Sequence, residues 1–497
     1  MASELDRLVN ACLLPGFANA RPGGANAHPG GVNDGVPDWV RRDLDAGLAG
    51  VAIYGSNLVD PGAVKRIAAA TRDTRADALV ALDEEGGDVT RLDYLIGSRY
   101  PGNLALGVVD DLALTQRVAA SIAADLAESG INYDLAPSID VNSDPDNPVI
   151  GVRSFGADPE RVAAHGVAYI KAMQDAGIAT SAKHFPGHGA TVTDSHLTLP
   201  VVDCDLATLR RREFLPFVAA IEAGATSIMT AHVVVRALDR DQPATLSRRI
   251  LHGLLRSELG YQGVLVTDAL DMHAVAGKHG IAGAAVRALF AGADLLLLGP
   301  VDGDALCTQI RAAIAAAIRD GELDVAVLEA AATRVDAMRR WARPRAAGPR
   351  DAAVGLEAAR RAIVSTGSTR LAAPAVVVNL SAPSNLAVGE AHWSIAEPLA
   401  GLDLLVGAID VTEEGPNLGE VLSLLGAEPV VLVVRDAYRR PWQRAFVEEF
   451  VAARPDCVLV AIGMPADAAL TTGPSVVTFG AAAACTTAAA EVLAGNV

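Results

Sequence analysis

The sequence predicts an α/β protein with an N-terminal TIM (β/α)8 barrel followed by a smaller open α/β sheet domain. Two observations support this prediction. Short aliphatic runs recur along the chain and are almost continuously apolar, as expected of parallel strands that are buried on both faces. The stretches between the runs are long enough to hold a helix, and one of them repeats apolar residues at helical spacing: Leu114, Val118, Ile122 and Leu126.

Eight aliphatic runs precede residue 300, and eight strands that alternate with helices are the number that closes such a barrel. The runs extend over 12–17, 50–54, 78–82, 131–136, 179–184, 227–231, 264–268 and 294–298. Between the first two runs, the segment 18–37 is rich in glycine, asparagine and proline. This composition predicts a long irregular loop over the barrel mouth.

The character of the chain changes near residue 341. The stretch 341–350 is rich in arginine, proline, alanine and glycine and indicates a linker, and 351–364 predicts a helix. Further aliphatic runs predict the strands of the open sheet, at 375–380, 402–409, 430–434, 458–462 and 476–479. The predicted domains are a catalytic barrel at 1–342, a linker and helix at 343–370, and a C-terminal α/β sandwich domain at 371–497.

The composition limits the classes of function. With 497 residues, 51% of them hydrophobic and 4% aromatic, the chain can form more than one domain with an ample apolar core. A formal net charge of −18 disfavours nucleic acid and anionic membrane surfaces as partners, because polyanions are bound by clustered Lys and Arg. Five cysteines without paired spacing are typical of reduced, buried thiols. A neutral or mildly charged small molecule fits these properties better.

The N-terminal segment and the hydropathy of the chain bear on localisation. Residues 1–7 lack the basic start, the apolar run and the small-residue cleavage site of a secretory signal. No apolar run approaches the ~18 residues that are needed to span a bilayer. We therefore expect a cytoplasmic protein that does not contact a membrane, while the oligomeric state is left open.

One loop concentrates the polar side chains that could do chemistry. The stretch 183–196 reads KHFPGHGATVTDSH and holds a lysine, three histidines and an aspartate within fourteen residues. Because such groups cannot form an apolar core, this pattern predicts a polar loop at the mouth of a pocket. The C-terminal domain has a single histidine, His392, so we expect catalysis in the barrel.

Further polar residues stand at the ends of the predicted strands. They are Asp83 after the third strand, Lys183 and His184 at the fifth, His232 after the sixth, Asp268 after the seventh, and Arg153 on the loop after the fourth. In a barrel of parallel strands the reactive side chains lie at the C-terminal ends of the strands, so these residues should face one pocket. This mixture of carboxylates, cations and imidazoles favours a polyhydroxylated ligand.

Six motifs resemble, in family order, those of glycoside hydrolase family 3. They are DEEGG at 83–87, PGNLALG at 101–107, NPVIGVRSFG at 147–156, the loop at 183–196, MTAH at 229–232 and VTDALDM at 266–272. The loop is similar to that of the β-N-acetylglucosaminidase branch, in which K-H-F-P-G-H-G followed by D-x-H carries the acid/base group. The resemblance covers residues 5–345 strongly and the C-terminal domain in outline.

The resemblance implies a retaining glycosidase mechanism. Asp268 matches the nucleophile that forms a covalent glycosyl-enzyme, and His196 matches the acid/base group, with Asp194 as its partner. An imidazole titrates near neutrality, and a hydrogen-bonded carboxylate fixes its tautomer and supports its cationic form. Asp271, which is close to the nucleophile in sequence, is expected in the first turn of the following helix.

The resemblance also implies which side chains hold the sugar. The matching substrate-binding residues are Asp83, Arg91, Arg153, Lys183 and His184. His232 is a further candidate, which either lines the pocket or satisfies a buried neighbour. One position departs from the family pattern, since Asp88 stands where E-G-G-R is usual. An anion thus replaces a cation near the pocket wall, and a substrate contact is expected to change.

We therefore expect a metal-independent, cofactor-free, retaining and exo-acting enzyme that hydrolyses terminal β-linked N-acetylglucosamine, in cell-wall or amino-sugar recycling. Three alternatives stay open. A phosphorylase of the same family would use inorganic phosphate as the acceptor in place of water. A metal-dependent barrel hydrolase would use as ligands His184, His188, Asp194 and His196. A catalytically silent protein would bind the sugar without cleaving it.

Overall fold

The computed structural model of the protein describes residues 3–18, 35–191, 199–345, 350–381, 388 and 393–496. The chain forms two compact units. The first unit consists of Met1–Glu84, Thr115–Ile150 and Ala157–Arg350, and the second of Glu85–Leu114, Gly151–Gly156 and Asp351–Val497. Two segments of the sequence-defined barrel domain thus belong to the second unit, and the boundaries at residues 342 and 370 stay a prediction.

The strands are short and most of them are fully buried. In the first unit they are β1 (Leu13–Pro15), β2 (Gly50–Ala52), β3 (Leu79–Leu82), β4 (Tyr133–Asp134), β5 (Ala179–Phe185), β6 (Val201–Val202), β7 (Ser227–Thr230), β8 (Val234–Val235), β9 (Val264–Thr267) and β10 (Leu296–Leu298). In the second unit they are β11 (Val364–Thr366), β12 (Ala375–Leu380), β13 (Leu405–Val411), β14 (Val430–Val434), β15 (Val458–Ala461) and β16 (Ser475–Val477).

The parallel strands of the first unit form a curled sheet. Strands β2, β3, β4, β5, β7 and β9 pair in that order. Strand β1 pairs with β10, and a parallel bridge between Val266 and Leu295 links β9 to the residue before β10. Beside β1 and β2, the Ala49 N–H donates to the Asn10 carbonyl at 3.0 Å. All eight predicted strands are present. Seven are shorter than predicted, and β5 extends one residue further, to Phe185. The predicted α/β fold class with a second, open sheet is confirmed.

The helices alternate with the strands. The α-helices are α1 (Glu4–Asn10), α2 (Asp38–Asp45), α3 (Ala63–Thr74), α4 (Asn103–Val109), α5 (Leu112–Glu128), α6 (Pro159–Asp175), α7 (Leu206–Arg211), α8 (Phe214–Glu222), α9 (His273–Ala291), α10 (Gly303–Arg319), α11 (Val325–Trp341), α12 (Val354–Ala362), α13 (Ala396–Ala400), α14 (Leu418–Leu424), α15 (Pro441–Ala453) and α16 (Ala483–Ala494). A π-helical segment covers Arg249–Glu258, and 3₁₀ turns cover Gly55–Asn57, Gly151–Arg153, Ala244–Leu246, Ala437–Arg439 and Pro465–Leu470.

Helix α5 shows why the helical spacing in the sequence was informative. Its four predicted core residues, Leu114, Val118, Ile122 and Leu126, are each at most 1% exposed. Residues spaced by three or four positions lie on one face of an α-helix, so this stripe can be buried while the other faces stay polar. No helix in the described part of the chain combines the length and the hydropathy of a membrane span.

The second unit contains an open sheet with the strand order β11-β16-β15-β14-β12-β13. All neighbours are parallel except β11, which is antiparallel to β16. Successive residues of a strand point to opposite faces, and both faces are apolar here. Val378 and Leu432 belong to one core cluster with Phe450, while Val377 and Val431 belong to another.

The helix predicted at 351–364 is shorter than expected. Helix α12 ends at Ala362, because Ile363 leaves the helical region with ψ 136. The next residues form β11, whose side chains are exposed and whose backbone pairs with β16. A Val-Ser-Thr sequence has no apolar face to bury in a helix, and its β-branched residues suit an edge strand.

Candidate active site

The first unit brings together polar side chains that follow different strands of its curled sheet. Asp83 directly follows β3, His232 lies two residues beyond β7, and Asp268 directly follows β9. Lys183 and His184 are the two residues before the last residue of β5, Phe185. Because the strands are parallel, their carboxyl ends meet at the same edge, as the sequence pattern predicts.

Lys183 and Asp83 form an ion pair at this edge. The distance from Lys183 Nζ to Asp83 Oδ1 is 2.7 Å, and the two side chains are 2% and 20% exposed. A buried ammonium requires a charged or hydrogen-bonded partner, because burial removes its hydration. The pair therefore fixes a cationic donor and an anionic acceptor side by side.

Asp134, at the end of β4, is a neighbour that the sequence analysis did not single out. Its Oδ1 atom accepts a hydrogen bond from the Glu84 N–H at 3.0 Å. Burial raises the pKa of this carboxyl well above its usual range, and the charges of Glu84 and Asp83 raise it further. Asp134 is therefore a buried carboxyl group that supports the backbone beside Asp83.

Asp140 organises the first part of the polar loop. Its Oδ2 atom accepts from His184 Nδ1 at 2.7 Å, and its Oδ1 atom accepts from the His188 N–H at 2.7 Å. Burial alone would raise the pKa of Asp140, but the neighbouring His184 and His188 outweigh it and lower the pKa to about 2. An ionised Asp140 accepts a hydrogen bond from His184 Nδ1–H and so fixes the tautomer and the orientation of this ring.

The second histidine of the loop has a different environment. Burial and, to a smaller extent, the neighbouring His184 lower the pKa of His188 to about 4, so His188 is neutral at neutral pH. Its Nδ1 atom lies 2.8 Å from Thr191 Oγ1, and its carbonyl accepts from Asn147 Nδ2 at 2.8 Å. His188 thus holds the loop, as its position between two glycines suggests.

Gly189 permits the close approach of this loop to the segment after β4. A Cβ atom at Gly189 would lie 1.8 Å from the Val141 carbonyl oxygen, which leaves no room for a side chain. This contact brings the loop next to Asp140, which precedes Val141. The second glycine of the loop sequence is therefore required by packing.

Asp268 is half-buried, and backbone groups of Ala269 and Thr230 fix its position. Its Oδ1 atom accepts from the Ala269 N–H at 2.8 Å, and its own N–H donates to the Thr230 carbonyl at 3.3 Å. The Asp268 charge raises the pKa of His188, which shows that this carboxylate acts on the loop after β5. Asp268 is therefore a partly exposed carboxylate at the carboxyl end of β9.

The expectation for Asp271 was wrong. Helix α9 begins at His273, so Asp271 precedes the first turn. Its Oδ1 atom accepts from the Gly299 N–H at 2.7 Å, just beyond β10. The Gly299 N–H thus takes the place of the helix N-terminus as the hydrogen-bond donor to the Asp271 carboxylate.

His232 is fully buried, and both ring nitrogens contact protein groups. Nδ1 lies 2.8 Å from Thr245 Oγ1, and Nε2 lies 3.0 Å from the Ala269 carbonyl oxygen. This is the geometry of a histidine that satisfies buried neighbours, one of the two possibilities that the sequence left open. His232 therefore holds the carbonyl of Ala269, the residue whose N–H contacts Asp268.

Two of the predicted catalytic residues, Asp194 and His196, lie outside the described residues. Their assignment as partner and acid/base group therefore stays a prediction. The proposed metal ligands include the same two residues. Among the residues that the structure describes, no group of three or more His, Cys, Asp or Glu has the arrangement of a metal site.

Two predicted substrate-binding arginines belong to the second unit. Arg153 forms a two-point ion pair with Glu85, with Nε to Oε2 at 2.9 Å and Nη2 to Oε1 at 2.6 Å. Asn103 Nδ2 donates to the Arg153 carbonyl at 2.7 Å. Arg91 is also buried, and its Nη1 atom donates to the Thr90 carbonyl at 3.2 Å. Planar guanidinium groups suit such paired contacts.

Asp88, the departure from the family pattern, is a buried residue of the second unit. Its side chain is 1% exposed and forms an ion pair with Arg435, which follows β14. Asp88 Oδ1 also accepts from the Ala481 N–H at 2.7 Å, and the Arg435 guanidinium lies 3.8 Å from the Trp393 ring centroid. The anion at position 88 is therefore compensated by a cation from another part of the same unit.

The geometry of the first unit defines a class of protein. A curled parallel sheet with a carboxylate, an ion pair and an oriented imidazole at its strand ends is typical of barrel enzymes, whose reactive side chains lie at the carboxyl ends of the strands. The model of the glycosyl hydrolase family 3 N-terminal domain matches residues 36–338. The chain belongs to this family. The predicted family and the predicted enzyme class, glycoside hydrolase, are confirmed.

Individual relatives agree with this assignment. The chain is similar to the solved structure of a glycoside hydrolase family 3 β-N-acetylglucosaminidase from Paenibacillus sp. str. FPU-7, with a TM-score of 0.88, 30% identity and coverage of 100% of this chain and 97% of that one. β-Hexosaminidase A of Pseudoalteromonas piscicida is 42% identical over 235 residues, which are 44% of this chain and 39% of that protein. β-Hexosaminidase of Pseudomonas aeruginosa (strain LESB58) is 36% identical over 255 residues, which are 50% of this chain and 75% of that protein. The match therefore spans less than half of the Pseudoalteromonas protein.

Proposed function

We propose that the protein is a retaining, exo-acting β-N-acetylglucosaminidase that hydrolyses terminal β-linked N-acetylglucosamine. Among its relatives are a β-N-acetylglucosaminidase and two β-hexosaminidases, and this supports the substrate class. One structural observation carries the proposal. Asp268, the Lys183–Asp83 pair and His184 stand at the carboxyl ends of parallel strands of one curled sheet, where a sugar can contact all of them.

The ion pair and the imidazole are proposed to hold the sugar. Vicinal hydroxyl groups present a donor and an acceptor at a fixed spacing, and Lys183 and Asp83 offer the complementary groups side by side. Asp140 acts through His184, because it accepts a hydrogen bond from Nδ1 and so leaves Nε2 to contact a hydroxyl or amide group of the sugar. Asp140 is thus a positioning residue, and Asp83, Lys183 and His184 are proposed as contacts.

Asp268 is proposed to attack the anomeric carbon. A bond forms between this carbon and a carboxylate oxygen, and the bond to the leaving oxygen breaks as that oxygen takes a proton from His196. Water then attacks the anomeric carbon, gives a proton to His196 and releases Asp268. The Ala269 N–H hydrogen bond to Asp268 Oδ1 favours the ionised form that this step needs.

Other assignments rest on the sequence resemblance. Arg91 and Arg153 stay proposed substrate contacts, with Glu85 orienting Arg153. His232 stays a candidate, and its two protein contacts favour a supporting role beside Asp268. A cytoplasmic location and a task in cell-wall or amino-sugar recycling are likewise proposals.

The test is release of nitrophenol from an aryl β-N-acetylglucosaminide, with and without millimolar phosphate and with and without a chelator. Free N-acetylglucosamine of retained anomeric configuration in every sample is the expected result. N-Acetylglucosamine 1-phosphate with faster turnover would make the protein a phosphorylase. Loss of activity with the chelator would point to a metal-dependent hydrolase, and binding without release would leave a sugar-binding protein.

A further inference from the structure

Glu213 is a buried acid that packs against the active-site loop. It precedes helix α8, and only 1% of it is exposed. A Cβ atom at Gly187 of the loop would lie 2.8 Å from Glu213 Oε2 and 2.9 Å from Glu213 Cβ. The Glu213 side chain therefore touches the backbone in the turn that connects His184 to His188. The φ of Gly187, +125°, is one that other residues rarely adopt.

Helix α8 holds the same turn from a second side. The Phe185 ring contacts Phe214 at 6.2 Å between centroids and Phe217 at 5.1 Å, in stacked and edge-on arrangements. Phe185 and Gly187 flank Pro186, so helix α8 and the preceding Glu213 pack on the two ends of this tripeptide. The Gly187 N–H donates to the His184 carbonyl at 2.8 Å, which closes the turn. A change at Glu213 is thus transmitted to His184 over a short, packed path.

The two carboxylate oxygens of Glu213 have different surroundings. Arg212 Nε donates to Glu213 Oε1 at 2.6 Å, whereas Oε2 is buried and has no hydrogen-bond partner among the described residues. Burial raises the pKa of Glu213 to about 7, Arg212 opposes this shift, and the charge of Asp140 adds to it. A further titratable group near Glu213 is the half-buried Cys204, whose pKa the Glu213 charge helps to raise.

We propose that Glu213 is a positioning residue that makes sugar binding depend on pH: its neutral form keeps the 184–188 turn in the binding geometry, and its ionised form disturbs that turn. This inference rests on the proposed function, because it acts on His184 as a sugar contact. The physical reason is that an ionised Glu213 adds a second buried carboxylate near Asp140, behind a turn that offers it no second hydrogen bond among the described residues. Asp140 must stay ionised to orient His184. The repulsion between the two carboxylates is therefore relieved by a shift of the 184–188 turn.

The test measures binding and avoids proton transfer to a leaving group, since His196 would also titrate. The probe is a methyl thioglycoside of N-acetylglucosamine, titrated calorimetrically between pH 5.5 and 9. Wild-type affinity is expected to fall roughly tenfold as pH rises, with a midpoint near the pKa of Glu213. Glu213→Gln, a neutral isostere, should keep the acid-pH affinity up to pH 9.

Two further variants separate this role from a merely structural one. Arg212→Gln removes the cation that favours ionisation, so the midpoint should move to higher pH. Glu222→Gln at the exposed end of helix α8 is the matched control and should behave like the wild type. A pH-dependent fall in affinity that persists in Glu213→Gln, or an Arg212→Gln midpoint that does not move, would overturn the inference.

Stability provides an independent readout. The folded-state pKa of Glu213 lies above its unfolded value, so the folded state loses stability as pH rises from about 4.5 to about 7. As pH rises over this range, the melting temperature of Glu213→Gln should therefore increase relative to that of the wild type. An unchanging difference would contradict the titration of Glu213. Absence of thioglycoside binding by the wild type at every pH would overturn the proposed function itself, whereas pH-independent binding would overturn only the inference.

Discussion

Charged side chains stand at the carboxyl ends of parallel strands in both units, but their surroundings differ. In the second unit, Arg435 after β14 forms an ion pair with the buried Asp88, and Asp436 accepts from Arg439 at 2.7 Å. In the first unit, the Asp83 of the ion pair is 20% exposed, and Asp268 is half-buried. Charge at a strand end therefore does not define a site. The combination of partly exposed carboxylates with an oriented imidazole does.

The largest effect is expected at the proposed nucleophile. Asp268→Asn removes the attacking carboxylate and should lower kcat for an aryl β-N-acetylglucosaminide by at least roughly 10³-fold. Asp271→Asn is the matched control, because an amide oxygen can still accept from the Gly299 N–H. It should keep nearly full activity in the same nitrophenol assay. Similar losses in the two variants would remove the distinction between these carboxylates.

The two ion pairs allow a direct comparison of the units. Lys183→Met should lower kcat/KM roughly ten- to a hundredfold, because it removes a charged hydrogen-bond donor beside Asp83. Arg435→Met leaves Asp88 buried without its guanidinium, and it should lower the free energy of unfolding by about 3 kcal/mol with little change in KM. Denaturant unfolding and steady-state kinetics on both variants measure this contrast. A large rise in KM for Arg435→Met would contradict it.

A smaller, pH-dependent effect is expected at Asp140. Its pKa is lowered in the folded state, so its ionisation stabilises the fold above pH 4 and this contribution is lost as pH falls through about 2. Asp140→Asn should cost about 2 kcal/mol of unfolding free energy at neutral pH, and the gap to the wild type should close between pH 4 and pH 2. Urea unfolding across this range gives the difference. If the difference in unfolding free energy between the two proteins did not change with pH, the charge of Asp140 would not contribute to stability as described.

The smallest effect is expected at the exposed ion pair between Lys65 and Glu128. Lys65 and Glu128 form a 2.8 Å ion pair whose side chains are more than half exposed. Lys65→Ala should change the free energy of unfolding by no more than about 1 kcal/mol, because water and salt screen such pairs. A thermal unfolding curve measures it. A loss as large as that of Arg435→Met would show that exposure does not decide the strength of these pairs.

Much of the fold follows from local patterns. Buried parallel strands require nearly continuous apolar runs, so eight of the ten strands described in the first unit were visible in the sequence. The two-residue strands β6 and β8 were not, because two valines carry no periodicity. Strand β11 was missed because its pairing with β16 is decided by residues about a hundred positions away.

The candidate site was predictable only in part. Residues that project from strand ends, such as Asp83 and Asp268, were found because strand ends are visible in the sequence. Asp140 and Glu213 were not, since each depends on the path of the loop that it touches: Asp140 is 44 positions from His184 in sequence. A carboxylate after a predicted strand, as in Ser138-Ile139-Asp140, was the signal that could have identified Asp140.

The central claim is that Asp268 forms a covalent bond to the sugar. It is tested most directly with a fluorinated N-acetylglucosaminyl donor that forms the intermediate quickly and releases it slowly, followed by proteolysis and mass spectrometry. We expect one added fluorinated N-acetylglucosaminyl group on the peptide that contains Asp268, and none in Asp268→Asn. An active enzyme that carries the label on another residue, or that turns over the donor without any label, would contradict it.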